Sequence, residues 1–386
     1  MDRRTMRYRL IRRWLAFAVI AGGSGRLDAQ PIRRFPADTF WRRLWTAGSK
    51  DDGLFVEPRA VVVHQDRVTV LDRGTREVLS FDRRTGRSLL RLPARGNGPG
   101  EFKRPAHLVT TGDGFAVVDH ANMRLSSFDA QGRMRWDIII PEIFRVSDLC
   151  FLSPTRVLVH YKRRDSSMVV FDSAGRRLSV RSIPWTAARP STMTFLHEAF
   201  MSPVAADGSC ALVSYFGAEW AVIPGEATGR RISIHRYIEP GGEPVVIRNE
   251  TPMSPTDPMP KVVPEVTETP PIAKGVLLRR DTVIVMGART RSDPHRLLDY
   301  YERATGRYLY SRRLPFPLVA LAIDDDGTFF GAVIEENIQA LVAFRPERLN
   351  KAVQRELDRA RKTSAPLRDT AARRSPPAPA RPRGSR

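Results

Sequence analysis

The chain has 386 residues, 42% of them hydrophobic, and a formal net charge of +21. That is enough apolar material for one large domain or two small ones, and length alone forces no split. The charge is uneven: residues 1–29 carry +5 and residues 345–386 carry +9, which excludes a strongly basic core.

In chain order, the first stretch predicts an export signal. Arg3, Arg4, Arg7, Arg9, Arg12 and Arg13 form a basic leader, and Trp14 to Ala21 is a short apolar run. Gly22 to Ala29 is rich in small residues and ends in a cleavage pattern after Ala29. The apolar run is too short for a stable membrane span. Arg12-Arg13 before Trp14-Leu15 also permits a twin-arginine route, and no Cys follows to carry a lipid. The expectation is a signal peptide over 1–29, a periplasmic or extracellular protein, and no transmembrane anchor after cleavage. Cys150 and Cys210 are the only cysteines. Export would allow them to pair, yet both lie in apolar strand-like runs where buried free thiols are common.

The repeat is clearest in Gly98-Pro99-Gly100-Glu101-Phe102, Pro105, and Gly112-Asp113-Gly114-Phe115-Ala116-Val117-Val118-Asp119. Asn122, Arg124, Ser126-Ser127-Phe128-Asp129 and Gly132 follow. This is a loop, a strand, an Asp-Gly turn, a second strand and a third, the pattern of one propeller blade. These residues resemble the NHL family of six-bladed β-propellers, with Gly98, Pro99, Gly100, Phe102, Asp119 and Arg124 falling on its repeat motif. The same register, shifted by forty-seven residues, places Pro58 on Pro105, Asp72 on Asp119 and Phe81-Asp82 on Phe128-Asp129.

A turn signature recurs further: Asp82 with Thr85-Gly86-Arg87, Asp129 with Gly132-Arg133, Asp172 with Gly175-Arg176, and Glu302 with Thr305-Gly306-Arg307. Gly supplies a positive φ, and the acid can accept from backbone amides. Blades are then expected to begin near Pro58, Pro105, Arg145, Phe195, Ile272 and Pro317. The last blade lacks an outer strand, and Thr39 to Trp45, ahead of the first blade, is expected to supply it beside Ile338 to Phe344. The predicted fold class is all-β: a six-bladed propeller of four-stranded blades over 30–346, closed by an N-terminal strand.

Residues 239–271 hold eleven Pro and Gly from Pro240 to Pro271 and predict a long connection rather than sheet. Over 347–363, Leu349, Val353, Leu357 and Ala360 have helical spacing, and the Pro/Arg-rich remainder to 386 reads as a disordered basic tail.

Asp72 and Asp119 end second strands, and His160 is expected at the matching place in the third blade. The resemblance implies that this acid pairs with the following Arg76 or Arg124, a structural role. Ala60, His107 and Asp148 fall at one level of successive inner strands, facing the central channel. His107 and Asp148 are therefore the candidate ligand-binding pair, suited to a metal, to acid–base chemistry, or simply to lining a wet channel. Inner strands such as Val61-Val62-Val63 and Leu318-Val319-Ala320-Leu321 are apolar, which disfavours the converging oxygen ligands of a calcium-dependent propeller. No metal, no other cofactor and no catalytic residue is expected. Asp324-Asp325-Asp326-Gly327 reads as a turn, and Gly96 to Gly100 as a blade connector rather than a phosphate loop.

The expected function is an exported, non-catalytic binding module for a protein, peptide or glycan; the alternative is a calcium-dependent, lactonase-like hydrolase or lyase. Export argues against nucleic acid as a partner and leaves contact of the basic tail with an anionic envelope surface open.

Overall fold

Runs such as Val68-Thr69-Val70-Leu71 and Phe115-Ala116-Val117-Val118 are rich in β-branched and aromatic residues, which suit a pleated, buried surface. They form the second strands of two blades, Arg67–Asp72 and Gly114–Asp119, and are buried on both sides. Burial on both faces follows from position, because each blade is sandwiched between two others. Outer strands such as Met134–Ile139 and Arg177–Ser182 are mostly exposed and correspondingly polar.

The structure is a computed structural model that describes residues 36–37, 41–48, 53–92, 96–98, 100–163, 167–183, 185, 197–225, 231–238, 245–250, 262–267, 272–287, 295–335 and 338–347. The chain divides into units 1–32 and 33–386, and every described residue belongs to the second. Six antiparallel sheets follow one another as blades, each counted from its inner strand. The inner strands are Pro58–His64, Pro105–Thr110, Val146–Ser153, Ala199–Met201, Ala273–Arg279 and Leu318–Ile323. The fourth therefore begins at Ala199, four residues after the expected Phe195, and spans only three residues.

The apolar core is split into six clusters, one for each junction between blades. Val70, Phe81, Phe330 and Leu341, for example, join the first blade to the sixth, so the ring is closed. The aromatic residues ahead of the turn acids, Phe81, Phe128, Phe171 and Tyr301, are all buried in these clusters.

Closure follows the expected route. Trp41–Ala47 pairs antiparallel with Ile338–Pro346 as the outer strand of the sixth blade, from Trp41 opposite Pro346 to Ala47 opposite Leu341. Trp41 packs edge-on to Phe329 and Phe344, and its Nε1 donates to the Arg313 carbonyl of the fifth blade at 2.8 Å. Trp45 Nε1 donates to the Arg83 carbonyl of the first blade at 3.0 Å. A second lace went unforeseen: Pro36–Ala37 adds in parallel to Tyr308–Arg313, the outer strand of the fifth blade.

Gly86 shows how the turns serve the junctions. Its φ is +72, and a Cβ there would stand 2.7 Å from the Trp45 ring. Gly86→Val is expected to cost about 2–3 kcal/mol, from backbone strain and displacement of the closing strand. The check is the urea midpoint, and an unchanged midpoint would contradict it.

Residues 239–271 require a correction. The proline-rich stretch includes a two-stranded ribbon, Val245–Glu250 against Val262–Thr267, with Pro264 opposite Arg248. A two-stranded ribbon has a free edge on each strand, where a residue without an N–H costs no ladder bond. The export segment 1–29, the expected helix 347–363 apart from Glu347, and the tail lie outside the described residues. No helix among the described residues is long and apolar enough to cross a membrane.

Candidate functional site

The site is built by a repeated irregularity. At the start of the inner strand the register slips between Pro58 and Ala60, Pro105 and His107, Val146 and Asp148, Ala273 and Gly275, and Leu318 and Ala320. A bulge of this kind re-aims the side chain that follows it. Ala60, His107 and Asp148 do fall at one level, opposite Leu71, Val118 and His160. The same register corrects the expectation for His160. Tyr161, opposite Val146, matches Asp72 and Asp119, while His160 is fully buried one step further in.

The role of Asp72 and Asp119 also needs correcting. Asp119 accepts from the backbone N–H groups of Lys103, Arg104, Ala121 and Asn122, and Asp72 from those of Val56, Glu57 and Thr75. Each acid ties the incoming connection to the following turn through amides, not through an arginine. Arg124 instead donates to Asp137 at 3.1 Å and to the Asn97 and Gly98 carbonyls. Gly98 N–H donates to the Glu101 carboxylate at 2.7 Å, Gly100 has φ +78, and Phe102 is fully buried against Phe128. These residues form a connector, as expected; Pro99 lies outside the described residues.

His107 and Asp148 meet at the channel mouth. His107 Nδ1 stands 3.8 Å from Asp148 Oδ1, beyond hydrogen-bond range. Asp148 is held by the Met201 N–H of the next blade at 2.8 Å and by the Leu149 N–H at 2.9 Å. Around them lie residues that the sequence reading left out. The His120 ring is 5.8 Å from that of His107 and 5.7 Å from that of Phe144, which is 57% exposed. Lys162 Nζ bonds Glu198 Oε1 at 3.0 Å. Tyr215 packs on Phe200 with ring centroids 5.6 Å apart. Across the channel, Lys274 Nζ lies 3.0 Å from His295 Nε2.

A signal for these residues existed. Arg73, His120, Lys162 and Tyr215 each stand one residue past a second strand, and each donates its N–H to the residue before the inner strand: Glu57, Arg104, Arg145 and Glu198. The position repeats while the side chain varies, so residue-type matching passes over it.

Burial sets the electrostatics. It holds His107 down at about 3, helped by His120 and Lys162, so its imidazole is neutral. It lifts the Asp148 carboxyl to about 7, against the two backbone N–H bonds, with Glu198 adding to the rise. His120 is lowered by burial and then by Arg104 and Lys162; Lys274 is lowered by burial and then by Arg59. At neutral pH the mouth therefore offers the neutral imidazoles of His107 and His120, an Asp148 carboxyl poised between its two protonation states, an internally matched Lys162–Glu198 pair and an exposed aromatic ring. Among the described residues, no group of three or more His, Cys, Asp or Glu side chains could hold a metal ion.

The two central groups pull stability in opposite directions with pH. The raised Asp148 carboxyl stabilises the fold at low pH, and that contribution is lost as pH rises through about 7. The lowered His107 imidazole stabilises above its unfolded value, and that is lost as pH falls towards about 3. Asp148→Asn removes only the first. The stability difference between wild type and variant is expected to move in favour of wild type as pH falls from about 7 to about 4. Urea titrations across that range test it, and a difference independent of pH would contradict the burial of Asp148.

A family model described as a 6-bladed beta-propeller, DUF5128, matches residues 48–188, the span of the first three blades. A member of the duf4221 family from Bacteroides vulgatus superposes with a TM-score of 0.50 at 8% identity, covering 81% of this chain and 98% of that one. At that identity the likeness is one of fold. A Bacteroides fragilis protein named as a candidate exported protein gives 0.48 at 12%, over 81% and 95% of the two chains. An inactive virginiamycin B lyase from Staphylococcus aureus gives 0.45 at 9%, over 76% and 82%. No curated protein matches the sequence. The protein is a six-bladed β-propeller of four-stranded blades.

Proposed function

We propose that this propeller is an exported, NHL-like, non-catalytic binding module whose channel mouth, at the second to fourth blades, takes a peptide, protein segment or glycan. The carrying observation is the grouping of His107, His120, Asp148, Lys162 and Glu198 beside the exposed ring of Phe144. Imidazole and carboxyl donors and acceptors next to an open aromatic face suit a ligand with hydroxyl or amide groups and an apolar face. The Lys162–Glu198 pair satisfies its own charge, so it discriminates by geometry rather than by net attraction. Export rests on the Arg-rich, apolar and small-residue pattern of 1–29.

One feature favours a catalytic reading: a carboxyl lifted to about 7 beside an imidazole is a pattern used for proton transfer. The separation of 3.8 Å and the engagement of both Asp148 oxygens by backbone N–H groups weigh against it.

Calorimetry against a panel of peptides and neutral and acidic oligosaccharides tests the proposal. Phe144→Ala and Lys162→Ala are each expected to weaken the best binder about tenfold, or roughly 1.4 kcal/mol, without shifting the melting temperature. A binder indifferent to both substitutions would place the contact surface elsewhere.

A further inference from the structure

The face opposite the channel mouth carries a cavity of 330 Å³ between the fifth and sixth blades. Arg279, Arg280, Arg312 and Arg345 line it, with Asp326 the single acid among its walls. Ile284, Ile323 and Phe329 give it an apolar side.

Three of its polar atoms are buried without a hydrogen-bond partner among the described residues: Tyr300 Oη, Arg279 Nε and Arg312 Nε. Tyr300 is only 5% exposed, so its hydroxyl carries a desolvation cost that only the nearby Arg312 guanidinium offsets in part. Its ring stacks on Tyr310 at 4.5 Å, and the Arg312 guanidinium lies over both rings at 5.2 and 5.4 Å. Arg312 stands near the Tyr300 hydroxyl without closing a hydrogen bond of proper geometry.

The other charges are placed differently. Arg345 is engaged by Asp326 at 2.6 Å and by the Thr328 hydroxyl at 2.7 Å, so the acid and one arginine answer each other. Arg279 spends one Nη on the Asp325 carbonyl at 2.7 Å, and its guanidinium rests against Gly327, where a Cβ would come within 3.2 Å of it. Arg312 and Arg279 remain as planar donors close to a buried hydroxyl. A planar monoanion with two acceptor oxygens fits such a pair, because guanidinium forks match carboxylates. The apolar side supplies contact for a short hydrocarbon or aromatic body.

We propose that this pocket between the fifth and sixth blades binds a carboxylate carried on a short apolar body, with Arg312, Arg279 and the Tyr300 hydroxyl as its polar contacts. The carboxylate would belong either to a small organic acid or to a chain terminus, and the test separates the two sources.

The full-length protein is titrated calorimetrically with 3-phenylpropionate, 3-phenylpropionamide, N-acetylphenylalanine and inorganic phosphate. The proposal expects saturable binding of the acids, at least about tenfold weaker binding of the amide, and no comparable binding of phosphate. Tighter binding of N-acetylphenylalanine than of 3-phenylpropionate would support the chain-terminus form of the proposal, and the reverse order the small-acid form. Arg312→Gln and Tyr300→Phe should each weaken acid binding several-fold. Tyr300→Phe carries the sharper test. Removing an unsatisfied buried hydroxyl should leave the free protein as stable as before or more so, while it weakens the bound state. Equal binding of acid and amide, phosphate binding as tight as the acids, no saturation below about 10 mM, or wild-type acid affinity in Tyr300→Phe would each overturn the proposal.

Discussion

Asp119→Ala is expected to destabilise the protein by about 3–5 kcal/mol, the largest effect of any single substitution considered. The side chain is 1% exposed and accepts from the N–H groups of Lys103, Arg104, Ala121 and Asn122, so its removal strands several partly buried donors at once. Those donors lie on two segments: the connection entering the second blade and the turn after its second strand. Losing the carboxylate therefore loosens the junction as well as the turn. The comparison is Asp137→Ala, which removes only the half-exposed partner of Arg124 and should cost under about 1 kcal/mol. Urea midpoints at constant slope measure both. Equal costs would show that the Asp137–Arg124 pair holds the blade as strongly as the amide network of Asp119 does.

Removal of residues 30–47 is expected to abolish cooperative unfolding and bring on aggregation. The deletion strips the outer strand from Ile338–Pro346 and exposes an unpaired edge. It also removes Trp41 and Trp45, whose indole N–H groups reach the fifth and first blades, so three blades lose a common tie. A milder version is Trp41→Ala or Trp45→Ala, each expected to cost roughly 2 kcal/mol because the rings are only partly buried. A truncated protein that stays monomeric and melts in one transition would show that the ring does not depend on this strand.

How far the sequence could be read depended on how faithfully each blade keeps the repeat. In the first two blades the connector, second-strand acid, aromatic and turn Gly are all present, and their strands were legible to within a residue or two. His107 and Asp148 were placed at one level because their blades share the same bulge, which leaves relative register intact. His160 lies one step from its expected place because the second strand of the third blade runs on to Tyr161 before its turn, where no acid marks the end, and a single step exchanges the faces of a strand. The fourth blade resisted reading because its inner strand is three residues long and no connector motif precedes it. The ribbon at 245–250 and 262–267 was hidden by proline density, which argues against a central strand but not against one with a free edge. The rest of the mouth was hidden for another reason. His120, Lys162 and Tyr215 occupy one repeat position with three chemistries, and only the N–H to carbonyl pattern shows that they are equivalent. The arginine pocket was beyond sequence reading, since Arg279, Arg312 and Arg345 come together only where two blades meet.

The central claim is that the channel mouth binds a ligand without transforming it. Its most direct test is the chemical fate of the tightest binder from the peptide and oligosaccharide panel. Wild type and Asp148→Asn are each incubated with it at stoichiometric concentration, and the ligand is recovered and analysed by mass spectrometry. The expected result is one ligand bound per chain, returned intact by both proteins, with affinity reduced when Phe144 or Lys162 is replaced. Conversion of the ligand by wild type, with none by Asp148→Asn, would contradict it and make the lifted carboxyl of Asp148 a catalytic acid.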